Sequence, residues 1–126
     1  MIVAVQRCTL PKEERLHGKK DIAFLLAKGK FRTCRRFRYC FIADNGLPYS
    51  RMMISVPKKL FKRAVKRNLL KRRIRESYRL QKNLFPENRG ADILFIYNSR
   101  EISCSRDVFS DVGQIIKDVS NEIRKD

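Results

Sequence analysis

The chain has little of what catalytic sites are built from. Among 126 residues there is one histidine, His17, with five glycines, thirteen Asp+Glu and four cysteines. His17 stands in a charged N-terminal stretch, where a lone histidine reads as a solvated surface residue rather than a catalyst. No Ser, Cys or Thr comes with an identifiable base, so no activated nucleophile is visible. The glycines are isolated, which excludes a glycine-rich loop cradling phosphates. The acids are scattered, so they do not form the carboxylate metal cluster that nucleases use. Cys8, Cys34, Cys40 and Cys104 show no CxxC pairing and no histidine at ligand spacing, which argues against zinc and against a disulfide framework. No protein-held metal is expected. Scattered thiols without export features point to a reducing cytoplasm. No window of eighteen residues is apolar, so no membrane span is expected. The apolar run at residues 2–5 lacks a basic region before it and a small-residue cleavage site after it, so it does not read as a signal peptide.

What the chain does have is positive charge. Thirty Lys+Arg give a net charge of +17 and a pI near 10.4, while the hydrophobic content, 43%, is that of an ordinary globular protein. At this length one domain is expected, burying roughly two-thirds of its unfolded surface. Charge of this size speaks about partners rather than fold: nucleic acid, an anionic membrane surface or an acidic protein. It is concentrated between Lys58 and Arg79, with eleven Lys/Arg and a single acid, Glu76. On a helix at 100° per residue, Asn68, Lys71, Arg72, Arg75 and Arg79 fall in one narrow arc, with Arg63 and Arg67 beside it. Leu69, Leu70, Ile74, Ser77 and Leu80 lie on the other side, interrupted by Lys66 and Arg73 where the helix is expected to emerge into solvent. Like charges at i, i+4 repel, so a partner rich in negative charge would offset a cost that the isolated helix bears. Nucleic acid fits best. A membrane-surface helix would carry bulky aromatics opposite its cations, and this helix has only Tyr78 and Phe85 near its end.

Along the chain, residues 1–18 read as an extended or irregular arm, anchored by Leu16, and residues 19–126 as the domain. Lys19–Lys28 is expected to be a short helix capped by Gly29, with Leu25 in the core and Ile22 and Leu26 on a face able to line a groove. Residues 30–36 are basic and irregular, with room for one short strand. Phe37–Ala43 alternates as a strand, and Asp44-Asn45-Gly46-Leu47-Pro48 signals a turn. Arg51–Val56 is the next strand, and the two are read as an antiparallel hairpin. Pro57 ends it, and the basic helix follows from about Arg63 to Leu84. Ile93–Tyr97 suits a central strand buried on both faces. Ser105 is the expected N-cap of a C-terminal amphipathic helix carrying Val108, Val112, Ile115, Ile116, Val119 and Ile123, weakened at Gly113. Secondary basic sites are expected at residues 28–38 and at Lys58, Lys59 and Lys62.

The pattern Arg67-Asn68-x-x-Lys71-Arg72-x-x-Arg75-Glu76 resembles the signature helix of the bacterial ribonuclease P protein component. Ser55-Val56-x-Lys58-Lys59, the lead-in Pro11-Lys12-Glu13-Glu14-Arg15-Leu16, the helix Asp21-Ile22 to Gly29 and the strand Asp92–Tyr97 extend the resemblance over roughly residues 10–120. It implies an α+β, single-domain α-β-β-β-α-β-α sandwich, similar to ribosomal protein and elongation factor G domain IV domains, with a left-handed βαβ crossover. It implies a non-catalytic subunit that binds the catalytic RNA, one protein per RNA, and the 5′ leader of precursor tRNA. Magnesium would be held by the RNA and substrate phosphates. The residues it implies for RNA binding are Lys58, Lys59, Arg63, Arg67, Asn68, Lys71, Arg72, Arg75 and Arg79. For a leader cleft they are Ile22, Leu26, Arg38 and Cys40, with Phe37, Tyr39 and Phe41 in the core. Leu69 stands where the family usually has arginine, but points off the stripe. The alternative is a general RNA-binding or ribosomal-type protein of the same fold.

Overall fold

The computed structural model describes residues 10–125. Residues 1–9, with Cys8 and half of the expected arm, lie outside that range. From Leu10 the chain makes a 3-10 turn at Lys12–Glu14 rather than running extended. It then lies along the sheet edge, where the Leu16 N–H donates to the Met52 carbonyl at 2.8 Å. The elements are α1 (Lys19–Lys28), β1 (Lys30–Cys34), β2 (Phe37–Ile42), β3 (Arg51–Ser55), α2 (Ala64–Gln81), β4 (Asp92–Tyr97) and α3 (Ser105–Arg124). A 3-10 turn, Lys82–Leu84, extends α2 to the expected end of the basic helix.

The sheet order is β1-β2-β4-β3, which corrects the expected hairpin. β2 and β3 do not pair. The hairpin is β1–β2, antiparallel from Lys30↔Phe41 to Cys34↔Phe37. β4 inserts between β2, to which it is antiparallel, and β3, to which it is parallel. The physical reason lies in composition. Ile93–Tyr97 is apolar on both faces and is stable only between two strands, so it takes the centre. The Asn45-Gly46 signal does mark a reversal, with Gly46 at φ 76°, but within a loop that carries the chain past β4's position. The true hairpin turns at Arg35-Arg36, with Arg35 at φ 51°. That left-handed backbone costs a non-glycine residue about 1 kcal/mol or more.

Side chains alternate across the sheet. Phe37, Tyr39 and Phe41 of β2 join Met52, Ile93, Phe95 and Tyr97 on one face, all buried, beneath Leu70, Ile74 and Tyr78 of α2 and the apolar stripe of α3. Phe37, Tyr78 and Phe95 meet edge to face at 5.9–6.5 Å between ring centroids. The opposite face holds a smaller cluster, in which Leu16 and Leu25 cover Cys40 and Leu94. Gly113 does not weaken α3 as an exposed glycine would. It is buried against α2, where an added Cβ would lie 2.2 Å from the Gln81 side chain. The N-cap of α3 is Cys104, with Ser105 the first helical residue.

Two buried carboxylates tie the layers together. Asp92 accepts from Arg51 Nε at 2.9 Å and Nη2 at 2.7 Å and from Asn45 Nδ2 at 2.9 Å, and Arg51 Nη1 reaches Asp21 of α1 at 3.1 Å. Hydrogen bonding to Asp92 holds the Arg51 guanidinium above its ordinary pKa. Asp111 of α3, fully buried, pairs with Arg36 at 2.9 Å and Arg35 at 3.4 Å. A buried charge is tolerated only when paired, so Asp111 also secures the strained β1–β2 turn.

Candidate nucleic-acid interface

The basic helix buries Leu70, Ile74, Ser77 and Tyr78. α3 packs along one flank, where Gln81 Nε2 donates to the Phe109 carbonyl at 2.9 Å and Arg73 Nη1 to the Ser103 carbonyl at 2.5 Å. Arg73 therefore does not simply emerge into solvent: it ties α2 to the β4–α3 loop. Lys66 is exposed, as is Leu80, while Leu69 is half-buried. The arc of Asn68, Lys71, Arg75 and Arg79 falls on the flank away from α3, while Arg72 at its edge shares a shallow cavity with Ser105 and Phe109 of α3. Asn68, Arg72 and Arg75 are exposed, and Lys71 and Arg79 half-buried.

Among the described residues, Lys58, Lys59, Arg63, Arg67, Lys71, Arg72 and Arg75 have no ion-pair partner within the chain. Arg79 is paired with Glu76, and that bond holds the Glu76 carboxyl below its ordinary pKa. Arg67 has a second task. Its Nη1 donates to the carbonyls of Phe61 and Lys62, both at 2.8 Å, fixing the loop that leads into α2. The remaining Nη2 and Nε donors stay available to a partner.

The other expected basic stretch divides. Arg32 and Lys30 face Glu122 of α3 at 3.3 and 3.8 Å, and Arg35 and Arg36 are held by Asp111, with Asp107 3.5 Å from Arg36. Residues 28–38 are thus not an open cationic patch as a whole, because α3 supplies their counter-charges. A hydrogen bond from Lys125, with Arg32 and Lys30 nearby, holds the Glu122 carboxyl below its ordinary pKa.

The residues expected to line a leader cleft fall on or near the open sheet face, but not all of them are accessible. Arg38 is exposed, and its guanidinium lies 4.8 Å from the centroid of Phe31. Leu26 is exposed on α1, and Ile22 packs half-buried on the smaller cluster. Cys40 is fully buried beneath α1, its thiol donating to the Leu25 carbonyl at 3.4 Å. It is floor structure that α1 covers, not an accessible cleft residue. Burial raises the pKa of both the Cys40 and Cys34 thiols, so neither is a reactive thiolate. Register places Thr33, Arg38, Ile96 and Ser55 in one row across this face, beside the row of Phe31, Cys40, Leu94 and Met53. Sequence reading missed Phe31, which lay in the segment read as irregular. The alternation Phe31, Thr33 was the available signal.

Strand direction brings Arg38 and the entry to the basic helix to one end of the sheet. β3 and β4 both finish there, β2 begins there, and Ser55 pairs with Ile96 beside Arg38. The Lys58–Arg63 loop and the first turns of α2 start from the same end.

The match to known proteins covers this whole arrangement. The ribonuclease P family model matches residues 10–119. The chain belongs to the bacterial ribonuclease P protein component family. The ribonuclease P protein component of Syntrophus aciditrophicus is 30% identical over 112 residues, 89% of this chain and 92% of that protein. That of Porphyromonas gingivalis strain W83 is 43% identical over 77 residues, and the match spans 60% of this chain and only 56% of the relative's own length. The ribonuclease P protein from Thermotoga maritima superposes with a TM-score of 0.71 at 30% identity, covering 83% of this chain and 96% of that one. Among the described residues no three His, Cys, Asp or Glu side chains converge to hold a metal ion. Likewise, among them no helix is long and apolar enough to cross a membrane.

Proposed function

We propose that the chain assists RNA-based removal of the 5′ leader from precursor tRNA, docking on the catalytic RNA through the α2 stripe. The observation that carries this reading is the unneutralised arc of Lys71, Arg72 and Arg75 beside Asn68, on a helix otherwise packed into the core. Such an arc meets a phosphate backbone with forked contacts from arginine and a point charge from lysine, while Asn68 can both donate and accept toward a base, a 2′-hydroxyl or a phosphate. Lys58, Lys59, Arg63, Arg67 and Arg79 extend the surface.

The leader runs along the open sheet face from Arg38 at that end toward Ile22 and Leu26 of α1. Arg38 supplies charge to the leader phosphates, and the exposed Phe31 offers a ring on which a base stacks. In this reading magnesium is held by RNA and substrate phosphates, one protein serves each RNA, and the complex works in the cytoplasm. The protein contributes binding energy and position, not a reacting group.

The test is addition of the protein to ribonuclease P RNA and precursor tRNA at low magnesium. Stimulated release of the 5′ leader is expected. Binding without stimulation would replace this reading with general RNA binding.

A further inference from the structure

We propose that a second cationic site, between the first turn of α2 and the β4–α3 loop, grips backbone phosphates of the RNA subunit on the flank of α2 away from the signature stripe. This rests on the RNA-subunit reading above. The site is an open cleft of about 570 Å³ lined by Lys62, Arg63, Lys66, Arg100, Glu101 and Ile102 on its exposed rim. Four cations face one acid. Among the described residues none of the four is ion-paired within the chain.

Topology builds the cleft. β3 and β4 are adjacent and parallel, so the loops that follow them leave the same end of the sheet side by side. Side chains of α2 and β4 then hold both walls in place. Arg67 fixes the Phe61 and Lys62 carbonyls. On the other wall Arg73 holds the Ser103 carbonyl at 2.5 Å, and the Tyr97 hydroxyl meets the Glu101 carbonyl at 2.5 Å and Ser103 Oγ at 2.6 Å. Two helix cations are thus spent on posing a cleft whose own four cations face a single acid and form no ion pair among the described residues. A concave surface of one sign focuses the field and raises the local concentration of the opposite charge.

The occupant follows from continuity. Lys62 and Arg63 join the cleft to the stripe around the start of α2. The helix, about 10–12 Å across with its side chains, separates the two surfaces by more than one phosphate group. One polyanion touching both flanks fits this arrangement, and the RNA subunit is the polyanion that the stripe already implies.

The experiment measures affinity for ribonuclease P RNA across a range of salt, with thermal melts as a check on folding. Four proteins are compared: wild type, Lys66→Ala/Arg100→Ala, Glu101→Gln and the stripe variant Arg72→Ala/Arg75→Ala. The cleft double variant should bind roughly ten-fold or more weakly. Its plot of log K against log salt should flatten by about 0.7–0.9 for each lost contact. Glu101→Gln, which removes the cleft's acid, should bind more tightly and melt as wild type does. Wild-type affinity and slope in the cleft variants, with both reduced in the stripe variant, would overturn the second site alone. Unchanged binding in the stripe variant as well would overturn the RNA-subunit reading with it. A raised KM for precursor tRNA with unchanged RNA-subunit affinity would assign the cleft to the substrate and overturn the proposal.

Discussion

Arg67 and Arg75 sit two turns apart in the signature pattern, yet the structure predicts opposite effects on stability when each is replaced by alanine. Arg75 is exposed and has no partner within the described chain. Its helical neighbours at i−4, i−3 and i+4 are Lys71, Arg72 and Arg79, and each like-charged neighbour costs about 0.2–0.5 kcal/mol. Arg75→Ala should therefore leave the melting temperature unchanged or slightly raise it. Arg67 instead makes two charge-assisted hydrogen bonds at 2.8 Å to loop carbonyls. Such bonds contribute about 1.5–3 kcal/mol each when buried. Half-exposure and relaxation of the loop reduce the pair to about 2 kcal/mol in all, a fall of about 6–10 °C for a domain of this size. Both variants should bind RNA roughly 5- to 150-fold more weakly, the range for about 1–3 kcal/mol. Arg67→Lys separates the two roles: it keeps the charge, and so most of the salt slope, but loses the fork that spans both carbonyls. Thermal melts and salt-dependent RNA binding on the three variants decide it. An Arg67→Ala protein that melts with wild type, or an Arg75→Ala protein destabilised by more than about 1 kcal/mol, would refute this division of labour.

Ile74→Ala should cost about 2–5 kcal/mol in urea unfolding, since Ile74 is fully buried on the inner face of α2 and its loss leaves a cavity; RNA affinity of the remaining folded protein should hold. Asp92→Ala should cost about 3 kcal/mol, the low end for a broken buried pair, because Arg51 keeps Asp21 at 3.1 Å; an unchanged denaturation midpoint would sink the clamp. Burial, with Asp118 nearby, pushes the Tyr39 phenol up to about 12. A raised folded-state pKa means that stability is intact below the unfolded value near 10 and is lost as pH rises from about 10 to 12. Lysines also titrate there, so the reading is a difference: Tyr39→Phe should show a shallower alkaline loss than wild type, and parallel curves would refute it.

Local pattern read most elements close to their observed bounds. Gly29 closes α1, Pro57 follows β3, and the helical spacing of the basic run gave both the buried Leu70 and Ile74 and the stripe opposite α3. Pairing was less legible. Asn45-Gly46 is a strong turn signal, but a turn says only that the chain reverses, not which strand it meets next. The central place of β4 depends on a strand fifty residues downstream that is apolar on both faces. The candidate site was misread where its environment is made by distant residues. Arg35 and Arg36 look like free cations until Asp111, some seventy-five residues on, is folded against them. Cys40 alternates onto the open face as expected, but α1 lies over it.

The sequence by itself determined the charge, the helical stripe, the absence of a catalytic constellation and the family resemblance, because each depends on composition or on spacing within a few helical turns. Only the tertiary structure decided which cations are left without a counter-charge. Neutralisation depends on distance in space, and α3 delivers its acids to the β1–β2 hairpin, leaving Lys71, Arg72 and Arg75 and the cations of the cleft unpaired among the described residues.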